Sequence, residues 1–226
     1  MAFLGQIRTL AYGALRGFRN LSLSLVLGIS AAVAEPVTVA ALGDSLTQGY
    51  GLAPAQGFVP QLQAWLDARG ADVVVRNAGV SGDTSQGGLA RVGWTLTPDV
   101  DAMIVALGGN DMLRGVDPAV VRANLAGILQ AAQGADVRVL LVGVEGLSNY
   151  GADYKAEFDA VFPELAAEFG VAYVARFLAG VKEAVAAGRP MAELILPDGL
   201  HPNADGVALN VEVLGPAVLE LIARVD

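Results

Sequence analysis

The sequence predicts a three-layer α/β/α sandwich built on a parallel sheet, and three observations carry that prediction. Apolar, β-branched runs of strand length recur at Val37–Leu42, Val73–Val75, Met103–Leu107, Val137–Val144 and Val171–Val174. Their near-continuous hydrophobicity suits strands covered on both faces. Segments with apolar residues at helical spacing lie between them, and the alternation implies successive βαβ units with helices on both sides of one sheet.

The first 34 residues stand apart from this pattern. They hold Arg8, Arg16 and Arg19 and no acidic residue, and an apolar run from Leu21 to Ala34 ends in Ala32-Val33-Ala34. A basic start, a short apolar stretch and an A-x-A end read as a cleaved secretory signal. An uncleaved anchor is the alternative, but the run is shorter than the ~20 residues that a spanning helix needs. The expectation is a signal peptide over 1–34 and a single domain over 35–226, periplasmic or secreted, with no stable membrane insertion.

Within the domain, the first strand stops at Gly43. Phe58, Leu62, Trp65 and Leu66 then share a helical face before Gly70. Val120, Val121, Leu125, Ile128 and Leu129 share another, opened by Pro118 and closed by Gly134. A third face carries Tyr154, Phe158, Val161, Phe162, Leu165 and Phe169 before Gly170, and a last helical pattern runs from Asn203 towards Arg224. No linker, tandem repeat or low-complexity tract interrupts 35–226.

Composition narrows the function classes. A chain of 226 residues with 54% hydrophobic and 16% charged residues has the make-up of one domain with a sizeable core. The net charge is -9 and no lysine or arginine run is present, which argues against a nucleic-acid partner. With no cysteine, there is no disulfide, no thiolate zinc site and no cysteine nucleophile.

Ligands of open parallel sheets bind beyond the carboxyl ends of the strands, and polar residues collect there. Gly43-Asp44-Ser45-Leu46 follows the first strand, Asn77-Ala78-Gly79-Val80-Ser81-Gly82-Asp83 the second, and Gly108-Gly109-Asn110-Asp111 the third. Each has a structural explanation too: Ser45 as a helix cap, Gly82 as a turn glycine, Asn110-Asp111 as a strand-end turn, Asp198 as the cap of the last helix. His201 is harder to dismiss. It is the sole histidine, and it lies three residues after Asp198 in a loop fenced by Pro197 and Pro202. At that spacing in a turn a carboxylate can reach the imidazole, fix its tautomer and leave the other ring nitrogen free to accept a serine proton. Metal binding is the weaker rival, since no second histidine is available. There is no G-x-S-x-G elbow, no P-loop and no G-x-G-x-x-G.

These blocks together resemble the SGNH (GDSL) hydrolase family. Gly43-Asp44-Ser45-Leu46, Gly82, Gly-Gly-Asn110-Asp111 and Asp198-x-x-His201 occur in family order over nearly all of 35–226. The longer stretches Thr47-Gln48-Gly49-Tyr50-Gly51-Leu52, Ser81-Gly82-Asp83-Thr84-Ser85 and Leu107 to Asp111 are similar to the bacterial periplasmic branch of arylesterases and acyl-CoA thioesterase/lysophospholipases. The resemblance implies a flavodoxin-like five-stranded sheet in the order 2-1-3-4-5. It implies Ser45 as nucleophile, His201 as base and Asp198 as its acid. It places the backbone N–H groups of Ser45 and Gly82 and the side-chain amide of Asn110 in an oxyanion hole.

The substrate implied is a small ester or thioester, with no metal or organic cofactor and a monomeric protein. Asp44, Leu113, Leu147 and Tyr150 are expected to contact it, the last three from the loops 112–116 and 146–150. A carbohydrate esterase of the same superfamily, or an exported binding protein without catalysis, are the competing readings.

Overall fold

Successive side chains of a strand point to opposite faces, and the first apolar run fills a core on each side. In the computed structural model, which describes residues 35–225, β1 (Val37–Gly43) sends Val39 and Ala41 into one core and Ala40 and Leu42 into the other. The expected signal sequence, residues 1–34, lies outside the described residues. The strands β2 (Val73–Gly79), β3 (Ala102–Ala106), β4 (Arg138–Val142) and β5 (Ala172–Val174) complete a five-stranded parallel sheet in the order β2-β1-β3-β4-β5.

Eight α-helices accompany the sheet among the described residues: α1 (Ser45–Gln48), α2 (Phe58–Asp67), α3 (Ser85–Thr95), α4 (Gly109–Leu113), α5 (Pro118–Gly134), α6 (Ala152–Phe169), α7 (Ala179–Ala186) and α8 (Ala204–Ile222). On one face Phe58, Leu62 and Leu66 of α2 and Val211, Leu214 and Val218 of α8 pack against Val39 and Ile104. On the other, Val92 of α3, Leu125 and Ile128 of α5 and Phe158 and Phe162 of α6 pack against Leu42, Val105 and Leu141. No helix among the described residues is long and apolar enough to cross a membrane.

The sheet departs from the sequence expectation at its edges. Val74 of β2 and Tyr173 of β5 are 43% and 36% exposed, because the helical layers cover the central strands fully and leave one face of each edge strand uncovered. Two substantial helices, α3 and α7, lie outside the sequence expectation and are poor in large apolar residues. Both pack by close approach: a Cβ at Gly88 would lie 2.2 Å from Leu107, and one at Gly180 would lie 2.1 Å from the Leu209 carbonyl oxygen. Helices that dock in part through glycine carry fewer large apolar side chains to reveal them.

The functional consequence is the strand order. β1 is followed by β2 on one side and β3 on the other, so the chain reverses direction across the sheet at the β1/β3 boundary. A crevice opens there beyond the carboxyl ends of the strands.

Candidate active site

Ser45 is the first residue of α1, at the mouth of that crevice. It is delivered by a cap: the Asp44 side chain accepts the backbone N–H of Leu46 at 3.0 Å and starts the helix immediately after β1. The His201 loop approaches from the opposite end of the sequence, 156 residues away. It is a closed structure rather than a free loop. Ile195 and Pro202 form an antiparallel bridge, Leu196 N–H donates to the His201 carbonyl at 2.7 Å, and Asn203 N–H donates to the Leu194 carbonyl at 2.9 Å.

Within the loop, Asp198 Oδ1 accepts the backbone N–H groups of Leu200 and His201 at 2.9 and 3.0 Å. Its Oδ2 lies 2.6 Å from His201 Nδ1, and His201 Nε2 lies 2.8 Å from Ser45 Oγ. The backbone N–H groups of His201 and Leu200, then the imidazole, hold the Asp198 carboxyl down to about 2. Such an ionised carboxylate favours the tautomer with the proton on Nδ1, leaving Nε2 to accept from a hydroxyl. The Tyr50 ring sits 4.6 Å from the imidazole, tilted by 39°, and limits its freedom to turn.

The other two motif blocks meet the serine from β2 and β3. Asn110 lies in α4, and its Nδ2 donates to the Asp83 carbonyl at 2.9 Å and to Asp44 Oδ2 at 3.4 Å. Gly82 adopts φ +80, a conformation few other residues take up, and its carbonyl accepts Arg114 Nη2 at 3.0 Å. Ser45, Gly82 and Asn110 all line one cavity. Asp44 itself is 4% exposed. Burial, partly offset by the Leu46 N–H and by His201, raises its carboxyl to about 6.

Sequence reasoning passed over the residues that hold these loops. Arg91 donates to Asp83 Oδ2 at 2.7 Å, to the Ala78 carbonyl at 2.7 Å and to the Gly43 carbonyl at 2.9 Å. One guanidinium thereby ties the ends of β1 and β2 to the Gly82 loop. Buried Asp111 accepts both the N–H and the hydroxyl of Ser85, at 2.8 and 2.7 Å, and Asn124 donates to the same hydroxyl at 3.0 Å. This fixes α4, and with it Asn110, to α3 and α5. The acidic residues flanking Gly82 and Asn110 were visible as neighbours of the motifs; their partners sit on helices at no recognisable spacing.

The cavity has a volume of about 820 Å³, within the range of small-molecule sites. Of the residues expected to contact substrate, Leu113, Leu147 and Asp44 line this cavity. Tyr150 does not. Its hydroxyl donates to the Leu113 carbonyl at 2.9 Å and its ring lies against Gly115, so it braces the 112–116 loop from behind. The opposite wall, Phe177, Val181, Val185, Met191 and Ile195, comes from α7 and its flanks. It went unforeseen because α7 itself did.

The chain matches the model of the GDSL-like Lipase/Acylhydrolase family over residues 41–209. It belongs to that family. It is 40% identical over 201 residues to esterase TesA of Pseudomonas aeruginosa, a match covering 88% of this chain and 96% of the relative. It is 36% identical over 182 residues to thioesterase 1/protease 1/lysophospholipase L1 of Escherichia coli, covering 80% and 82%. The crystal structure of a TesA superposes with a TM-score of 0.73 at 37% identity, covering 81% of this chain and 99% of that one. The flavodoxin-like order implied by the resemblance is thus the order found in this GDSL hydrolase.

Proposed function

We propose that this GDSL acylhydrolase cleaves carboxylic esters and thioesters through a Ser45-His201-Asp198 triad and an acyl-enzyme. The observation that carries the reading is the unbroken chain from Asp198 Oδ2 through both imidazole nitrogens to Ser45 Oγ, at 2.6 and 2.8 Å. Relatives named esterase and thioesterase 1/protease 1/lysophospholipase L1 agree with it.

Ser45 Oγ attacks the substrate carbonyl carbon while its proton passes to His201 Nε2. The carbonyl oxygen becomes an oxyanion, received by the Ser45 and Gly82 N–H groups and Asn110 Nδ2. The C–O or C–S bond then breaks, and the leaving group takes the proton from His201. Water attacks the acyl-enzyme with His201 again as base, which releases the acid and restores the serine. Each oxyanion donor is typically worth ~3–4 kcal/mol in the transition state. The apolar cavity walls favour acyl esters over polar carbohydrate esters. We extend the proposal to export, with residues 1–34 removed after Ala34 and a monomeric product outside the cytoplasm; N-terminal sequencing of the exported protein tests the cleavage point.

The test of the chemistry is a fluorophosphonate probe on the folded protein, followed by a panel of p-nitrophenyl esters and acyl-CoA thioesters. Stoichiometric labelling at Ser45 together with turnover is the expected result. Unlabelled, folded protein would identify a binding protein instead.

A further inference from the structure

We propose that the far end of the substrate cavity recognises a negative charge, so that the preferred ester carries an anionic group at the end of an otherwise apolar chain. The inference rests on the serine-hydrolase reading of Ser45 and adds the substrate class.

Glu145 follows β4, Arg176 follows β5, Lys155 projects from α6 and Lys182 from α7, and all four line the cavity that contains Ser45. Ser45 follows β1. Two inter-strand spacings separate β1 from β4 and three separate it from β5, which puts this cluster roughly 10–14 Å from Ser45. Arg176 Nε donates to Glu145 Oε2 at 2.9 Å, and Lys182 Nζ donates to the same oxygen. Lys155 Nζ stands 3.8 Å from Glu145 Oε1 and donates to Asp159 Oδ2 and the Gly146 carbonyl, both at 2.8 Å. Three cations therefore face two carboxylates, an excess of positive charge inside a chain whose net charge is -9.

The groups are available to a new partner. Arg176 and Lys182 are 45% and 53% exposed, and Glu145 is 38% exposed. Ion pairs this open to water contribute little, so rearranging them costs little. Among the described residues, neither Nη of Arg176 has a hydrogen-bond partner. Between the cluster and Ser45 the wall is apolar, formed by Met112, Leu147, Phe177 and Val181. A plain alkyl chain fits that stretch, but its tip would strip water from three cations without replacing it. A carboxylate or phosphate at the tip replaces the lost hydration with charge-assisted hydrogen bonds.

The experiment compares, below their micellar concentrations, the p-nitrophenyl half-ester of dodecanedioic acid with p-nitrophenyl dodecanoate. A second arm compares the acetate ester of ω-hydroxydodecanoic acid with dodecyl acetate. The first arm puts the charge on the acyl side and the second on the alcohol side. Hydrolysis of p-nitrophenyl acetate reports the serine chemistry alone, so its absence would sink the parent reading and not this one. The expected result is a higher kcat/KM for the charged member in one arm, which also says which half of the ester occupies the far end. Arg176→Gln and Lys182→Gln should each reduce that preference by about fivefold, with acetate turnover unchanged. In the wild-type enzyme, added salt should erode the preference, a readout that needs no variant. No charge preference in either arm, or equal losses on charged and neutral esters in both variants, overturns the proposal.

Discussion

Two carboxylates flank the Ser45–His201 pair, and they are treated oppositely. Asp198 stands exposed to water in the closed His201 loop, where two backbone N–H groups and the imidazole hold its carboxyl down to about 2. Asp44 directly precedes Ser45, is 4% exposed, and burial raises its carboxyl to about 6. Burial is the first cause of the contrast, and donor supply adds to it. Asp198 receives three close contacts at 3.0 Å or less, whereas Asp44 Oδ2 has an amide at 3.4 Å as its side-chain partner. In the proposed triad the exposed carboxylate remains an anion beside a histidine that becomes a cation during acyl transfer. The buried one caps α1 and steadies the Asn110 amide, and its ionisation costs the fold stability.

The comparison can be broken from its strongest element downwards. Ser45→Ala should reduce ester turnover by roughly 10⁴-fold or more with the melting temperature unchanged, since the hydroxyl carries chemistry and little packing. Asp198→Asn should lower kcat by roughly 10³-fold, because an amide neither fixes the tautomer nor stabilises the imidazolium; retention of near-full activity would remove Asp198 from the triad. Asn110→Ala should cost about 10²- to 10³-fold in kcat with KM nearly constant, and a pure KM effect would assign it to ground-state binding instead.

Asp44→Asn separates the two carboxylates by stability. In the native protein Asp44 holds its proton up to about 6, against 3.8 for an ordinary aspartate side chain. Between those values the folded state binds more protons than the unfolded chain, so wild-type stability falls as pH rises through that window and stays lower above it. The asparagine variant keeps the cap and escapes this loss. Its unfolding free energy should exceed the wild type's by about 3 kcal/mol at pH 8, and the advantage should vanish near pH 4, measured by denaturant titration. Asp198 has the reverse sign: its contribution is present above 3.8 and is lost as pH falls towards about 2. The smallest effect belongs to Tyr150→Phe. It should leave short-ester turnover intact and raise KM for longer esters by a few-fold, through loss of one hydrogen bond to the Leu113 carbonyl.

Much of the candidate site was legible in the sequence. Ser45, Gly82, Asn110, Asp198 and His201 stood out because glycine and polar residues are rare at the ends of apolar strands, and because a lone imidazole three residues after an aspartate has few explanations. The helices α2, α5, α6 and α8 were legible from their apolar faces, and α5 begins at Pro118 and ends at Gly134. The Arg91–Asp83 clamp, the Asp111–Ser85–Asn124 network and the α7 wall of the cavity were not, since each joins residues whose spacing follows no local period. Tyr150 shows the converse case. A tyrosine on a loop beside the pocket was expected to touch substrate, and its hydroxyl instead donates to the Leu113 carbonyl of the neighbouring 112–116 loop.

By itself the sequence determined the alternation of strands and helices, the residue types able to perform acyl transfer, and, through family resemblance, the order of the sheet. Those properties are local or inherited: periodicity, propensity and motif order survive without three-dimensional information. The tertiary structure alone decided that Asp44 is buried and Asp198 is not, that Tyr150 braces where Leu113 and Leu147 line, and that Glu145, Arg176, Lys155 and Lys182 meet at one end of the cavity. Burial and convergence depend on which elements pack together, and a carboxylate's environment is set by neighbours that the linear chain places far away.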